Sequence, residues 1–235
     1  MSKWLVKTLQ IIVAVALPVL LMTANLQLVA HMRFVNFEYG RAGFPADVAI
    51  PFDGYRLEKD ERTTLAEAAM RSIIGPEGMS ALEEARFVRT GAPAFNAREI
   101  QQMRDVRWLF QRARSLFWLS LVMLFGGGAV LIWWGRRTGL GPPLLTRPII
   151  TGVLVTLSVA AALGFYIIVN FRSFFRQFHH LFFEGETWLF RPDDTLIRLF
   201  PADFWYDAAM AIAGLTALEL VFVGVIAWWW GRKRA

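Results

Sequence analysis

The stretch TLQIIVAVALPVLLMTANLQLVA, residues 8–30, runs for 23 positions without a charged side chain. A bilayer's hydrocarbon core of roughly 30 Å requires about 20 such residues in a helix, so this stretch is long enough to cross it. Lys3 and Lys7 precede it in the manner of a secretory signal. A cleavable apolar region is only about 7 to 15 residues long, however, and the stretch therefore reads as an uncleaved anchor that stays in the membrane. Three further apolar stretches of this size follow, at 115–135, 148–171 and 208–231. Backbone that is not hydrogen-bonded to itself cannot face lipid, so all four are expected to be helices. Hydrophobic residues make up 56% of the 235 positions and the mean hydropathy is +0.42, well above the usual range of a soluble domain.

The net charge of +6 resembles a nucleic-acid footprint only until it is laid on this topology. Lys3, Lys7, Arg136, Arg137, Arg147, Arg232, Lys233 and Arg234 flank one side of the spans with no acidic residue among them. Basic residues next to spans stay in the cytoplasm, which places both termini and the 136–147 turn inside. Segments 31–114 and 172–207 then lie outside. They hold every acidic residue but Glu219 together with the remaining basic ones, so the outer face is near neutral and DNA or RNA binding has no support. Cysteine is absent, which excludes disulfides and thiolate chemistry.

The expected architecture is all-α: a single membrane domain over residues 1–235, built as a four-span antiparallel bundle with a small helical extracytoplasmic cap. Within the bundle, Gly126, Gly127 and Gly128 would admit a neighbouring backbone, and Pro18 would mark a kink. Glu219 interrupts the fourth span. Its cost in lipid directs it toward the bundle interior, near Asn25 or Asn170, as a structural bond or a proton route. In the cap, Ser80 with Glu83 and Asn96 with Glu99 each fit a capping box. Gly75 closes the helix-forming run ERTTLAEAAMRSII, residues 61–74. From Asn96 no Gly or Pro interrupts the chain before the second span, so one helix is expected to rise through it, with Met103, Val106 and Phe110 on one face and Gln102 and Asp105 beside it. Asp203 and Asp207 could cap the last helix, and Asp105 could pair with an arginine of the second outer segment.

Two of the three histidines, His179 and His180, sit in FRSFFRQFHHLFFEGETWLF, residues 171–190. Helical spacing puts Arg172, Arg176 and His179 on one face. Neighbouring guanidinium groups, and burial against Phe175, Phe178 and Phe182, would each disfavour the imidazolium and keep a base available near neutral pH. Aromatic and basic residues also gather at membrane interfaces for reasons unrelated to catalysis, so the pattern by itself favours an interfacial belt over a catalytic base. A metal would need more than the His180–Glu184 spacing and a distant His31. Haem would need histidines inside the spans, where there are none.

Three blocks carry a resemblance: FEYGRAGFPAD (37–47), FNAREIQQMRDVRWLF (95–110) and FRQFHHLFFEGETWLFRPDDTLIRLFPADFW (175–205). In this order they are similar to the bacterial four-span membrane family that includes the lipoprotein intramolecular transacylase. The resemblance implies a bacterial plasma-membrane acyltransferase working at the outer leaflet, with membrane lipids and diacylated lipoproteins as partners and no cofactor. The α-amine of the lipoprotein's terminal cysteine would attack an ester of its glyceryl group and take over the acyl chain. His179 then matches the family's base, with His180 and Gln102 as further catalytic candidates and Arg172, Arg176 and Trp188 as substrate or oxyanion partners. Gln102 stands where the family commonly has histidine, and an amide cannot shuttle a proton near neutral pH. A non-catalytic lipid or lipoprotein binding or assembly protein of the same fold is the main alternative. A transporter is disfavoured because only Glu219 breaks a span.

Overall fold

The computed structural model describes residues 1–42, 44, 56–140, 143–183 and 185–232. Its elements are α1 (Lys3–Val29), α2 (Met32–Gly40), α3 (Lys59–Ile74), α4 (Ser80–Glu83), α5 (Ala97–Thr138), α6 (Pro143–Phe182), α7 (Thr195–Leu199) and α8 (Ala202–Arg232). No strand occurs among the described residues, where the sole pairing of that kind is an isolated bridge between Arg86 and Pro93. Helices α1, α5, α6 and α8 are each long and apolar enough to cross a membrane. They present to their surroundings side chains that water would penalise: Ile11, Phe125, Phe165, Leu218 and Phe222 are each at least 65% exposed. Contiguous apolar surface of this kind is what lipid covers.

The chain divides into two compact units. The first comprises residues 1–27, 113–169 and 210–235. Its interior is thin and aliphatic, with Val13, Leu131 and Leu145 in one cluster and Leu17, Val153 and Leu220 in another. Such a unit is held by close approach rather than by exclusion of water. Of the glycine triplet, only Gly127 is tightly opposed: an added Cβ would lie 2.9 Å from Val13, whereas Gly126 faces open space. A tighter approach falls at Gly152, where a Cβ would meet the Ala14 carbonyl oxygen at 2.5 Å. A polar node also lies there, in which the buried Asn25 donates to Glu219 Oε2 at 2.8 Å and to Thr216 Oγ1 at 3.1 Å. Glu219 therefore has the Asn25 partner that its place in the span demanded.

The second unit comprises residues 28–112 and 170–209 and holds a denser core. Val35 of α2, Leu65, Ala69 and Met70 of α3, Leu82 of α4, Met103 and Phe110 of α5, and Leu199 of α7 are all buried there. The Asn96–Glu99 box forms as the sequence indicates: Asn96 Oδ1 accepts from Glu99 N at 3.1 Å and Glu99 Oε2 accepts from Asn96 N at 2.8 Å. From it α5 runs unbroken for 42 residues. Gly75 ends α3 as expected.

Several local expectations are corrected. Ser80 does not cap α4; its hydroxyl donates backward to the Glu77 carbonyl, and Met79 occupies the cap position. Asp207 pairs with Arg41 instead of capping α8. Asp105 accepts from Gln101 one turn earlier, at 3.2 Å. The backbone leaves helical geometry inside α6 at Asn170 (φ −149°, ψ 66°), while α1 continues through Pro18. Asn170 Oδ1 accepts from Ser173 N at 3.1 Å, so the histidine-bearing part of α6 starts as a freshly capped helix.

Leucine at position 152 must displace backbone, and overpacking of this sort costs about 1–3 kcal/mol. Gly152→Leu is expected to lower the melting temperature in detergent by several degrees, with Gly164→Leu, which meets nothing within 4 Å, close to wild type in the same thermal-shift series.

Candidate functional site

The site is assembled from two stretches of the second unit, the first turns of α5 and residues 187–196, around the end of α6. Several hydrogen bonds join the first two. Gln102 Oε1 accepts from Thr187 Oγ1 at 2.8 Å, and Arg98 donates to the Leu189 carbonyl at 3.3 Å. Asn96 Nδ2 donates to Asp194 Oδ1 at 2.7 Å, and Glu99 Oε1 accepts from Leu196 N at 2.7 Å. Asp194 Oδ2 closes the intervening turn by accepting from Arg191 N at 2.6 Å. Gln102, Glu99 and Asp194 are buried, so the bonds they make would be costly to lose, whereas the Arg98 bond to Leu189 is exposed.

The consequence is that Trp188 is fixed against the histidines. Its ring lies 4.9 Å from His179 at 34° and 5.4 Å from His180 at 87°. His179 is enclosed further by Phe175, Phe178 and Phe183, with ring centroids at 4.1, 5.6 and 5.3 Å. His179 Nδ1 lies 2.7 Å from the Phe175 carbonyl oxygen. A carbonyl only accepts, so the proton is on Nδ1 and Nε2 is the basic nitrogen. Burial pulls the His179 pKa below the usual histidine value, His180 adds to the effect, and the Phe175 carbonyl opposes it. The two arginines are not the cause, contrary to the expectation from helical spacing: Arg172 and Arg176 are exposed. His180 is exposed as well.

Trp188 is buried, and its Nε1–H has no hydrogen-bond partner among the described residues. A buried donor left unpaired costs about 1–3 kcal/mol, which an arriving acceptor would recover. Gln102 does not bond to His179; it reaches Thr187, the residue before Trp188. His31 belongs to a separate local structure, capping α2 by accepting from Arg33 N at 3.1 Å. No group of three or more metal-ligating side chains comes together among the described residues, and Glu184, the suggested partner of His180, lies outside them. Sequence reasoning missed Thr187, Asp194 and Phe183. The capping box announced one oxygen of Glu99, but nothing local signalled the second.

Fold and site together define a multi-pass helical membrane protein with an aromatic-enclosed histidine in a second, more polar unit. Residues 8–205 match the family described as Lit, lipoprotein intramolecular transacylase, and the chain belongs to that family. An uncharacterized protein of Aquifex aeolicus is 28% identical over 229 residues, covering 94% of each chain. The membrane-integral lipoprotein intramolecular transacylase Lit of Bacillus cereus has the same fold, with a TM-score of 0.74 over 99% of both chains at 16% identity. A variant of that protein with one histidine replaced by arginine matches at a TM-score of 0.68, again at 16% identity, over 98% of this chain and 93% of its own.

Glu99 supplies a pH test of the scaffold. Burial pushes its carboxyl up to about 7 against the backbone N–H groups that pull it down. A raised pKa means that the protonated form is favoured on folding. The associated stability is present below the ordinary value of 4.5 and is lost as pH rises through about 7. Between pH 5 and 8 the wild-type melting temperature is expected to fall relative to that of Glu99→Gln, measured in one detergent at constant ionic strength.

Proposed function

We propose that the protein moves an acyl chain from the glyceryl ester of a diacylated lipoprotein to the α-amine of the lipoprotein's N-terminal cysteine, at the outer leaflet of a bacterial plasma membrane, with both of its own termini cytoplasmic. The observation that carries this reading is the pairing of a histidine whose Nδ1 is committed to the Phe175 carbonyl with a buried, unpartnered indole N–H beside it. Family membership supports the substrate class.

The reaction balances within one substrate molecule. An α-amine with a free pKa of roughly 8 is already about one-tenth neutral at pH 7, so a strong base is not required to start. The neutral amine attacks the ester carbonyl, and the new C–N bond makes the nitrogen cationic and acidic. His179 Nε2 takes that proton. The tetrahedral intermediate then collapses, the bond from the carbonyl carbon to the glyceryl oxygen breaks, and His179 returns the proton to that oxygen as the hydroxyl forms. The products are an N-acylated cysteine and a lyso-glyceryl group. A weakened histidine base suits this sequence because it must give back what it takes. Trp188 Nε1–H is the donor for the carbonyl oxygen as it gains charge. Arg172 and Arg176, exposed near the same helix end, are suited to the glyceryl or peptide portion of the substrate, and Gln102 positions Trp188 through Thr187. With both reacting groups in one molecule, orientation supplies much of the acceleration. His180 needs no chemical step.

The test is expression in a bacterium that retains diacylated lipoproteins, followed by mass spectrometry of the lipopeptide termini. N-acylated lyso forms are expected, and unchanged termini at good expression would refute the proposal. His179→Ala should abolish transfer. Trp188→Phe, which keeps the ring and removes the N–H, should slow it by roughly 10²–10³-fold. His180→Ala should retain it. The rate should rise from pH 5 toward 8 without an inflection at 6.5, because the His179 limb lies lower and the α-amine sets the upper one.

A further inference from the structure

The part of α6 beyond Asn170 carries two aromatic rows, and the histidine belongs to one of them. Phe171, Phe175, His179 and Phe183 follow at four-residue steps, with successive ring centroids 5.7, 4.1 and 5.3 Å apart. Phe174, Phe178 and Phe182 form a second row one residue earlier, at 6.3 and 4.8 Å. Adjacent helical residues are separated by about 100° around the axis, so the rows lie side by side. They differ in exposure. The first ends in Phe183 at 8%, whereas Phe178 and Phe182 of the second are 37% and 43% exposed and Leu181, three residues past Phe178, is 76% exposed.

The second row is also joined to the chemistry. The Phe178 ring stands 5.6 Å from His179 in an edge-to-face arrangement. From Phe174 to Phe182 the row extends about 12 Å along the helix, most of the ~15 Å that the acyl chains of one leaflet occupy. The row is open from Phe178 to Phe182, with Phe174 half-buried at its start, and exposed apolar side chains beside a polar site mark a place where something apolar binds.

We propose that Phe174, Phe178, Leu181 and Phe182 form the seat of the migrating acyl chain, which lies along the row with its ester carbonyl at His179. This rests on the acyl-transfer reading and names the part of the substrate that the row recognises. A chain laid on rigid rings loses its freedom before the amine attacks, and the row's length makes it a chain-selecting surface as well as an orienting one.

The experiment uses the full-length protein in phosphatidylglycerol vesicles and a synthetic diacylated lipopeptide with a mid-chain diazirine in each ester-linked acyl chain. After irradiation, adducts are mapped by mass spectrometry. The expected result is labelling within residues 174–182 that is suppressed by excess unlabelled diacylated lipopeptide and not by the same excess of phospholipid. The Phe178→Ala/Phe182→Ala double variant, with its melting temperature checked, should show roughly tenfold less competed label. Labelling elsewhere, labelling that phospholipid suppresses equally, or a stably folded double variant with unchanged competed label would each overturn the seat. Acyl transfer is scored separately on the same lipopeptide without the diazirine. Competed label without transfer refutes the enzymatic reading and leaves the row as a lipoprotein-binding surface, while transfer with uncompeted label does the reverse.

Discussion

The carboxylate of Glu99 is the point on which the site is hung. One of its oxygens closes the first turn of α5 and the other accepts the amide of Leu196 at the start of α7. A single buried side chain thereby sets the origin of a 42-residue helix and the position of a distant segment at once. Asn96 and Asp194 tie the same two stretches, and Gln102 with Thr187 makes the connection at the far end. Between these ties the chain has little freedom, and Trp188 is delivered to His179. Buried polar bonds of this kind rigidify when every member is satisfied.

The membrane unit solves a different problem with different means. Lipid is as apolar as leucine, so burying leucine there gains little, and close packing must do what water exclusion does elsewhere. Gly152 against the Ala14 carbonyl and Gly127 against Val13 are points of close approach between helices. The Asn25–Thr216–Glu219 node adds a directional bond between α1 and α8. Such a node fixes rotation about the helix axis, which aliphatic packing leaves loosely specified.

What the sequence makes legible follows from the range of each interaction. Four apolar runs specify helices because backbone in lipid has no other solution, and the Asn96–Glu99 box is readable because both partners lie within four residues. The same local logic fails at Ser80, which has the pattern of a cap and bonds backward instead. It fails for the arginines, since helical spacing places Arg172 and Arg176 on the histidine's face but says nothing of how far their heads extend into solvent. The Thr187–Gln102 and Asp194–Asn96 bonds join residues 85 and 98 positions apart. No periodicity within either segment encodes such pairs, and they become visible only once the core has brought the segments together.

Glutamine at 102 looks from sequence like a missing proton carrier, and the geometry gives it a different task. Its oxygen takes the Thr187 hydroxyl, adjacent to the indole that packs against His179. In the proposed reaction no net proton is released, so the proton leaving nitrogen is the one arriving at oxygen, and one imidazole can carry it both ways. On that reading a neutral amide at 102 is compatible with turnover, because its oxygen is a fixed acceptor for Thr187, the residue before Trp188. A second imidazole at 102, buried as Gln102 is, would have to choose a tautomer and would introduce a titratable group beside the first. Under the proposed mechanism, a tie made by an amide keeps the holding of the ring and the carrying of the proton as separate tasks.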